Sequence, residues 1–395
     1  MKIIYVGDNR NRGNFGCRAT STALSQIIEK EHEIVGTITG KYTNNDIGEL
    51  FYYEYLPKWV YKWLGKKNRW PQIKSGLYLL IRSIRLGRQY IFSNFDFLKY
   101  DLDKSISNLI KHLPANPQLT EFDLRKYDFD ALVVNGEESF IFRIPAWRDS
   151  IAEAMLMHWA EKMGKKVYYM NGMLSDDPFT ERNNEVISLV RPVFKKAQVV
   201  CVREYNSEKN ANEVFPGANI KLYPDALFTW YDYINDDFKV PNGKYVMGPT
   251  GASNKSFADF DFEKPYICIS GSSSIGKATS NNGEAIGIYC SLTKKVKESF
   301  PNHTIYLVDV CEGDHFFNDV GNEVGVGVIS IDTPILAAAK ILAKADVYIS
   351  GRYHPAILAS QGGTPCVFMS SNSHKTKSLQ ELLEYDIIHE FYVLP

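Results

Sequence analysis

Short apolar runs, each closed by a polar or glycine-rich turn, alternate with stretches of helical period along most of the chain. Residues 2–6 read as an opening strand, the turn GDNRNRGNFG follows, and residues 17–30 have the period of an amphipathic helix. Residues 33–38 read as the next strand. Further on, strands are expected at 127–135, 165–170 and 199–202, with helices at 147–163 and 183–197 between them. The stretch VREYNS then leads into a helix expected to be capped by Asn206 or Ser207. Strands and helices in strict alternation predict a doubly wound parallel sheet.

Around residues 235–251 the sequence turns polar, with Pro241, Gly243, Gly248, Pro249 and Gly251. A domain boundary is expected here, giving an N-terminal Rossmann-like domain at 1–240 and a C-terminal one at 241–395. The second series begins with a strand at 266–270 and the turn Gly271-Ser272-Ser273-Ser274. It continues with a helix at 286–300, strands at 304–310 and 326–331 and a helix at 333–345. It ends in DVYISGRYHPAILASQGGTPCVF, read as strand 346–350, turn 351–355, helix 356–361 and strand 366–369. A helix at 378–383 follows, and the tail is expected to pack back on the first domain. The predicted fold class is therefore α/β, with two Rossmann-like domains facing a central cleft. Ligands in such folds meet the carboxyl ends of the strands.

One stretch breaks the alternation. Between Lys58 and Arg88 there are nine basic residues and no acidic one, interleaved with Trp59, Tyr61, Trp63, Trp70 and Tyr78. This predicts a basic aromatic helical insertion at about 51–115. Its residues 58–90 suit an anionic membrane surface. The bland alternative is a helical hairpin with a solvated basic face.

The charge balance changes little. With 45 Lys and Arg against 46 Asp and Glu, net charge is -1, and no nucleic-acid partner is expected. The six cysteines form no CxxC pair and read as small core residues of a reducing compartment. The opening apolar run is too short for a secretory leader. No apolar segment reaches the roughly 20 residues of a membrane span. A cytoplasmic protein is expected, soluble or peripheral on the inner leaflet of the cell membrane, and homo-oligomer formation is compatible with the sequence. No metal site is expected, because the eight histidines are scattered.

Candidate chemistry gathers in the turns after strands. Gly7, Asn9, Asn14 and Gly16 place backbone and amide donors at a helix start, a geometry that receives anions. Glu137 or Glu138 ends the strand LVVN. Asn171 and Ser272 occupy corresponding turns, and Arg203, Arg352 and His354 each follow a strand.

In that order, GDNRNRGNFGCRATSTAL, LVVNGEESF, VCVREYNSEKNANEVFPG and ISGRYHPAILASQGGTPCVF with HKTKSLQELL resemble the polysaccharide pyruvyl transferase family. The resemblance spans nearly the whole chain except 50–125. Here NGEES stands where the family shows a run of glycines, and a proline follows the histidine. The resemblance implies phosphoenolpyruvate as donor substrate with no further cofactor. It implies a pyruvate ketal formed on two hydroxyls of a glycan acceptor, which a lipid could carry, with release of phosphate. Arg203 and Arg352 match motif positions and are expected on opposite walls of one cleft, as bidentate partners for phosphate and carboxylate. His354 is expected to carry the proton. Lys375 or Lys377 is expected to add a phosphate contact, and Glu137 or Glu138 to act as base toward the sugar hydroxyl. The same GT-B-type architecture also suits a glycosyltransferase using a sugar nucleotide in exopolysaccharide or capsule synthesis. A non-catalytic membrane-docked scaffold is a third class.

Overall fold

The computed structural model describes residues 1–39, 97–115, 117–144, 146–177, 180–235, 244–247, 255–256, 260–275 and 282–392. Residues 58–90, expected at a membrane surface, lie outside these, as do residues 51–96 of the expected insertion.

The first half of the chain runs β1 (Lys2–Val6), α1 (Phe15–Glu29), β2 (Glu33–Ile38), α2 (Leu102–His112), β3 (Ala131–Asn135), β4 (Phe140–Ile141) and α3 (Arg148–Lys162). It continues with β5 (Lys166–Gly172), β6 (Leu174–Ser175), α4 (Asn184–Lys196), β7 (Val199–Val202), α5 (Tyr205–Val214) and β8 (Ile220–Leu222). Six of these strands form a parallel sheet in the order β2-β1-β3-β5-β7-β8. All five residues of β3 are buried, as a central strand covered on both faces requires. The short pair β4 and β6, which the apolar pattern does not announce, stands apart from this sheet.

The second half runs α6 (Tyr231–Asn235), β9 (Lys244–Met247), β10 (Lys255–Ser256), β11 (Tyr266–Ser272), α7 (Asn282–Ser299), β12 (Thr304–Val308), α8 (Phe317–Val324) and β13 (Gly327–Ile329). Then come α9 (Ile335–Ala343), β14 (Val347–Gly351), α10 (Tyr353–Gln361), β15 (Cys366–Phe368) and α11 (Lys375–Leu382). Its sheet has the order β10-β9-β13-β12-β11-β14-β15, parallel except for the antiparallel edge strands β9 and β10. The polar stretch read as a linker thus contains β9.

Three local readings change. Helix α5 is capped by Glu204, whose carboxylate accepts from Ser207 N at 2.9 Å, not by Asn206 or Ser207. Helix α10 starts at Tyr353, so Tyr353 and His354 occupy its first turn and Arg352 is the cap. Pro355 is therefore the third helical residue rather than the end of the turn. Its missing N–H falls among the amides that have no intrahelical partner anyway. The tail divides: α11 reaches the first half through Asn206, which donates to Ser378 Oγ at 2.7 Å. Residue Phe391 then returns to the second sheet beside Met369 instead of staying on the first domain.

A core shared by the two halves sets the cleft. The buried face of α1 (Phe15, Ala19, Ala23, Leu24) packs in one cluster with Ala356, Ile357 and Ala359 of α10. Small residues at that contact let the helices approach closely. The turn before α1 is also tied across: Phe15 N donates to Val310 O at 2.8 Å, and Asn14 bridges to Cys311. The N-termini of α1 and α10 thereby open into the same space.

Candidate functional site

A cavity of about 680 Å³ lies where these helix starts meet the carboxyl ends of the two sheets. Asn9, Asn14 and Gly16 line it from the first turn. Glu137 and Glu138 line it after β3, and Ser272, Arg352, His354 and Lys375 from the second half. Nine of the twelve residues expected from sequence thus share one space. Arg203, Asn171 and Lys377 do not.

Arg203 is fully buried behind the cavity wall. Its Nη1 donates to Asp225 Oδ2 at 2.9 Å and lies 3.0 Å from His354 Nε2, and its guanidinium sits 4.6 Å from the centre of the Tyr353 ring. It forms no wall opposite Arg352; it holds other groups in place. Burial works against its charge, but Asp225 outweighs this and keeps the guanidinium protonated. Burial also pushes the Asp225 carboxyl up, yet His354 and Arg203 hold it well below the usual carboxylate range. Asp225 further accepts from Thr20 Oγ1 at 2.8 Å and Leu227 N at 2.9 Å, so this buried charge is satisfied.

Nε2 of His354 is also 3.2 Å from Asp225 Oδ2. It therefore accepts from Arg203 in one protonation state and donates to Asp225 in another. The other nitrogen, Nδ1, lies against Gly16. A Cβ added to Gly16 would stand 2.6 Å from Nδ1 and 2.8 Å from the His354 Cβ. The need for glycine at position 16 is thus a need for space beside His354.

The two glutamates have different surroundings. Glu137 Oε1 accepts from Asn9 Nδ2 at 2.9 Å, Asn135 Nδ2 at 3.0 Å and Ser21 Oγ at 3.3 Å. Its backbone is in the left-handed region, with φ of 20°. Glu138 accepts from Lys375 Nζ. Burial would raise its pKa, but Lys375, Arg203 and His354 outweigh burial and bring it to about 2. Arg352 donates from Nη2 to Asp314 Oδ1, while its buried Nε has no partner among the described residues. Burial opposes its charge and Asp314 outweighs burial, so Arg352 stays cationic.

The remaining expectations divide by geometry. Asn14 lines the cavity but spends its side-chain oxygen as the cap of α1, accepting from Cys17 N at 3.1 Å. Ser272 is fully buried and donates to Ser370 O. Asn171 is turned inward at φ 58°: it donates to Thr20 Oγ1 at 2.6 Å and accepts from Ala226 N at 2.9 Å. Its amide is spent on Thr20, on Asn135 and on the Asp225 turn, not on a ligand. Lys377 points to Glu390 at 4.0 Å with its side chain half exposed, on a different face of α11 from Lys375. The sequence alone does not show that Asp225 and Asp314 hold His354 and Arg352 in place. The signal for Asp225 was an acidic residue directly after the strand-like KLYP; for Asp314 it was one acidic residue among several in a loop. Among the described residues no group of His, Cys, Asp and Glu is arranged to hold a metal, and no helix is long and apolar enough to cross a membrane.

Two Rossmann-like domains around such a cleft define the GT-B class of architecture. Among solved structures, UDP-GlcNAc 2-epimerase from Methanocaldococcus jannaschii, in complex with UDP-GlcNAc and UDP, is similar over 100% of this chain and 89% of its own. The TM-score is 0.52 at 11% identity. The UDP-GlcNAc 2-epimerase from Neisseria meningitidis, bound to UDP-GlcNAc, covers 98% of this chain and 92% of its own, with a TM-score of 0.44 at 12% identity. No curated protein matches the sequence. The family model "Polysaccharide pyruvyl transferase" matches residues 14–373, and the chain belongs to that family. It is a transferase.

Proposed function

We propose that the protein transfers pyruvate from phosphoenolpyruvate to two hydroxyls of one sugar, in a cell-surface polysaccharide or its lipid-linked precursor. The observation that carries this is the convergence of Arg352, Lys375 and His354 at the N-terminus of α10, inside one cavity. The donor bears a phosphate and a carboxylate. A guanidinium, an ammonium and a helix N-terminus supply matching charge for both.

The chemistry then follows from position. His354, held at Nε2 by Arg203 and Asp225, delivers a proton from Nδ1 to the donor methylene, leaving a cation at the adjacent carbon. A sugar hydroxyl adds there and gives its proton to a carboxylate at the end of β3. Glu137 is the better placed, since Glu138 is neutralised by Lys375. The second hydroxyl forms the other carbon–oxygen bond and gives its proton to the departing phosphate as the phosphate carbon–oxygen bond breaks. Phosphate leaves toward Arg352 and Lys375, and the ketal is complete.

Phosphate release from phosphoenolpyruvate in the presence of glycans, with mass spectrometry of the product, tests the reading. Stabilisation by a nucleoside diphosphate but not by phosphoenolpyruvate would replace it with a sugar-nucleotide glycosyltransferase. We further propose a cytoplasmic site of action, at the inner leaflet of the cell membrane. The basic aromatic residues 58–90 support this by their sequence. Vesicle binding that weakens with salt is expected, and none at low ionic strength would remove the idea.

A further inference from the structure

Part of the cavity lining comes from α3 and the turn before it. Trp147 stands at the start of α3 and makes no capping hydrogen bond there. Its ring is half-buried and lines the cavity. Arg143, itself 3.6 Å from Asp177, sits 5.9 Å from the indole centre. One helical turn and a half further on, Glu153 lines the same space. It is 6% exposed, and its Oε2 has no partner among the described residues. A buried carboxyl oxygen without a hydrogen bond costs stability, and this one belongs to a side chain that lines the cavity.

Phosphoenolpyruvate has ten heavy atoms, whereas a cavity of about 680 Å³ is of the size that holds a much larger ligand. A donor held by Arg352 and Lys375 takes up only part of such a space, and Trp147 and Glu153 line it as well. An aromatic face beside a carboxyl is complementary to a sugar ring, which offers C–H groups on one face and hydroxyls at its edge. We propose that Trp147 and Glu153 form the acceptor-sugar subsite, with the indole under the ring and Glu153 bonded to a ring hydroxyl. This rests on the reading that Arg352 and Lys375 hold the donor. The protonation of Glu153 fits the role: burial, then Asp149 and Glu137, push its carboxyl well above the usual range, so it can donate to a hydroxyl oxygen.

Saturation-transfer NMR on the full chain without donor tests this, using methyl glycosides of glucose, galactose, mannose and N-acetylglucosamine. At least one glycoside is expected to bind. Trp147→Ala should weaken that binding about tenfold or more, and Trp147→Tyr should keep it within about threefold. Glu153→Met, which fills the same space but cannot hydrogen-bond, should weaken it several-fold. The thermal shift produced by phosphoenolpyruvate should be unchanged in all three. No binding to the folded protein, or equal binding by Trp147→Ala, overturns the subsite. If the Ala variant does not fold, unchanged affinity in Glu153→Met overturns it instead. Absence of a phosphoenolpyruvate shift in the unmutated protein would sink the donor reading, while Trp147-dependent glycoside binding would still support the subsite.

Discussion

Arg203 Nη1 lies 3.0 Å from His354 Nε2, joining the end of β7 in the first sheet to the first turn of α10 beside the second. With Asp225 it forms a fully buried charged group that fixes the imidazole from behind. Breaking such a group by removing one partner strands the other in a dry interior.

Arg203→Met should therefore destabilise the fold by about 3–5 kcal/mol in urea titrations. The double variant Arg203→Met/Asp225→Leu should recover much of that loss, because no buried charge is left unpaired. Phosphate release should remain low in both, since His354 has lost its support. Full activity in the refolded double variant would show that Arg203 serves the fold alone.

Gly16→Ala asks whether the space beside His354 is needed. The added methyl would stand 2.6 Å from Nδ1, closer than any side chain tolerates. The ring must move and, with the His354 Cβ only 2.8 Å away, α1 and α10 must also shift apart slightly, so kcat should fall about a hundredfold or more. Circular dichroism should match the parent. Undiminished kcat would mean that His354 is not the proton carrier.

Arg352→Lys keeps the charge but not the planar fork. The KM for phosphoenolpyruvate should rise about tenfold or more. The affinity for glycosides should be unchanged, because Trp147 and Glu153 are untouched. An unaltered KM would remove Arg352 from the donor site.

The ion pair of Glu138 with Lys375 predicts a pH dependence of stability. The Glu138 pKa is lowered from 4.5 to about 2 in the folded state. Its contribution is present above the unfolded value and is lost as pH falls from about 4.5 toward 2. With a quarter of the Glu138 side chain exposed, the effect is of the order of 1–2 kcal/mol. Thermal melts between pH 2 and 6 should show Glu138→Gln less stable than the parent at pH 6. The gap should close at the acid end, and a gap constant with pH would exclude the ion pair as its source.

The sequence by itself determined most strands of the two sheets, most of the helices and the class of fold. Apolar runs such as ALVVN and YICIS are buried wherever a parallel sheet forms, so their reading survives any tertiary detail. It also brought Arg352 and His354 to one turn, because they are neighbours in the chain. It could not distinguish Lys375 from Lys377: two residues apart on a helix point to different faces, and only the packing of α11 decides which one meets Glu138. It could not show that Arg203 turns inward either. That depends on Asp225, brought alongside by the pairing of β7 with β8, and on His354, brought from the second half by the packing of α1 on α10. A charge goes inside only where its partners converge, and those partners come from segments that are neighbours only in the folded protein.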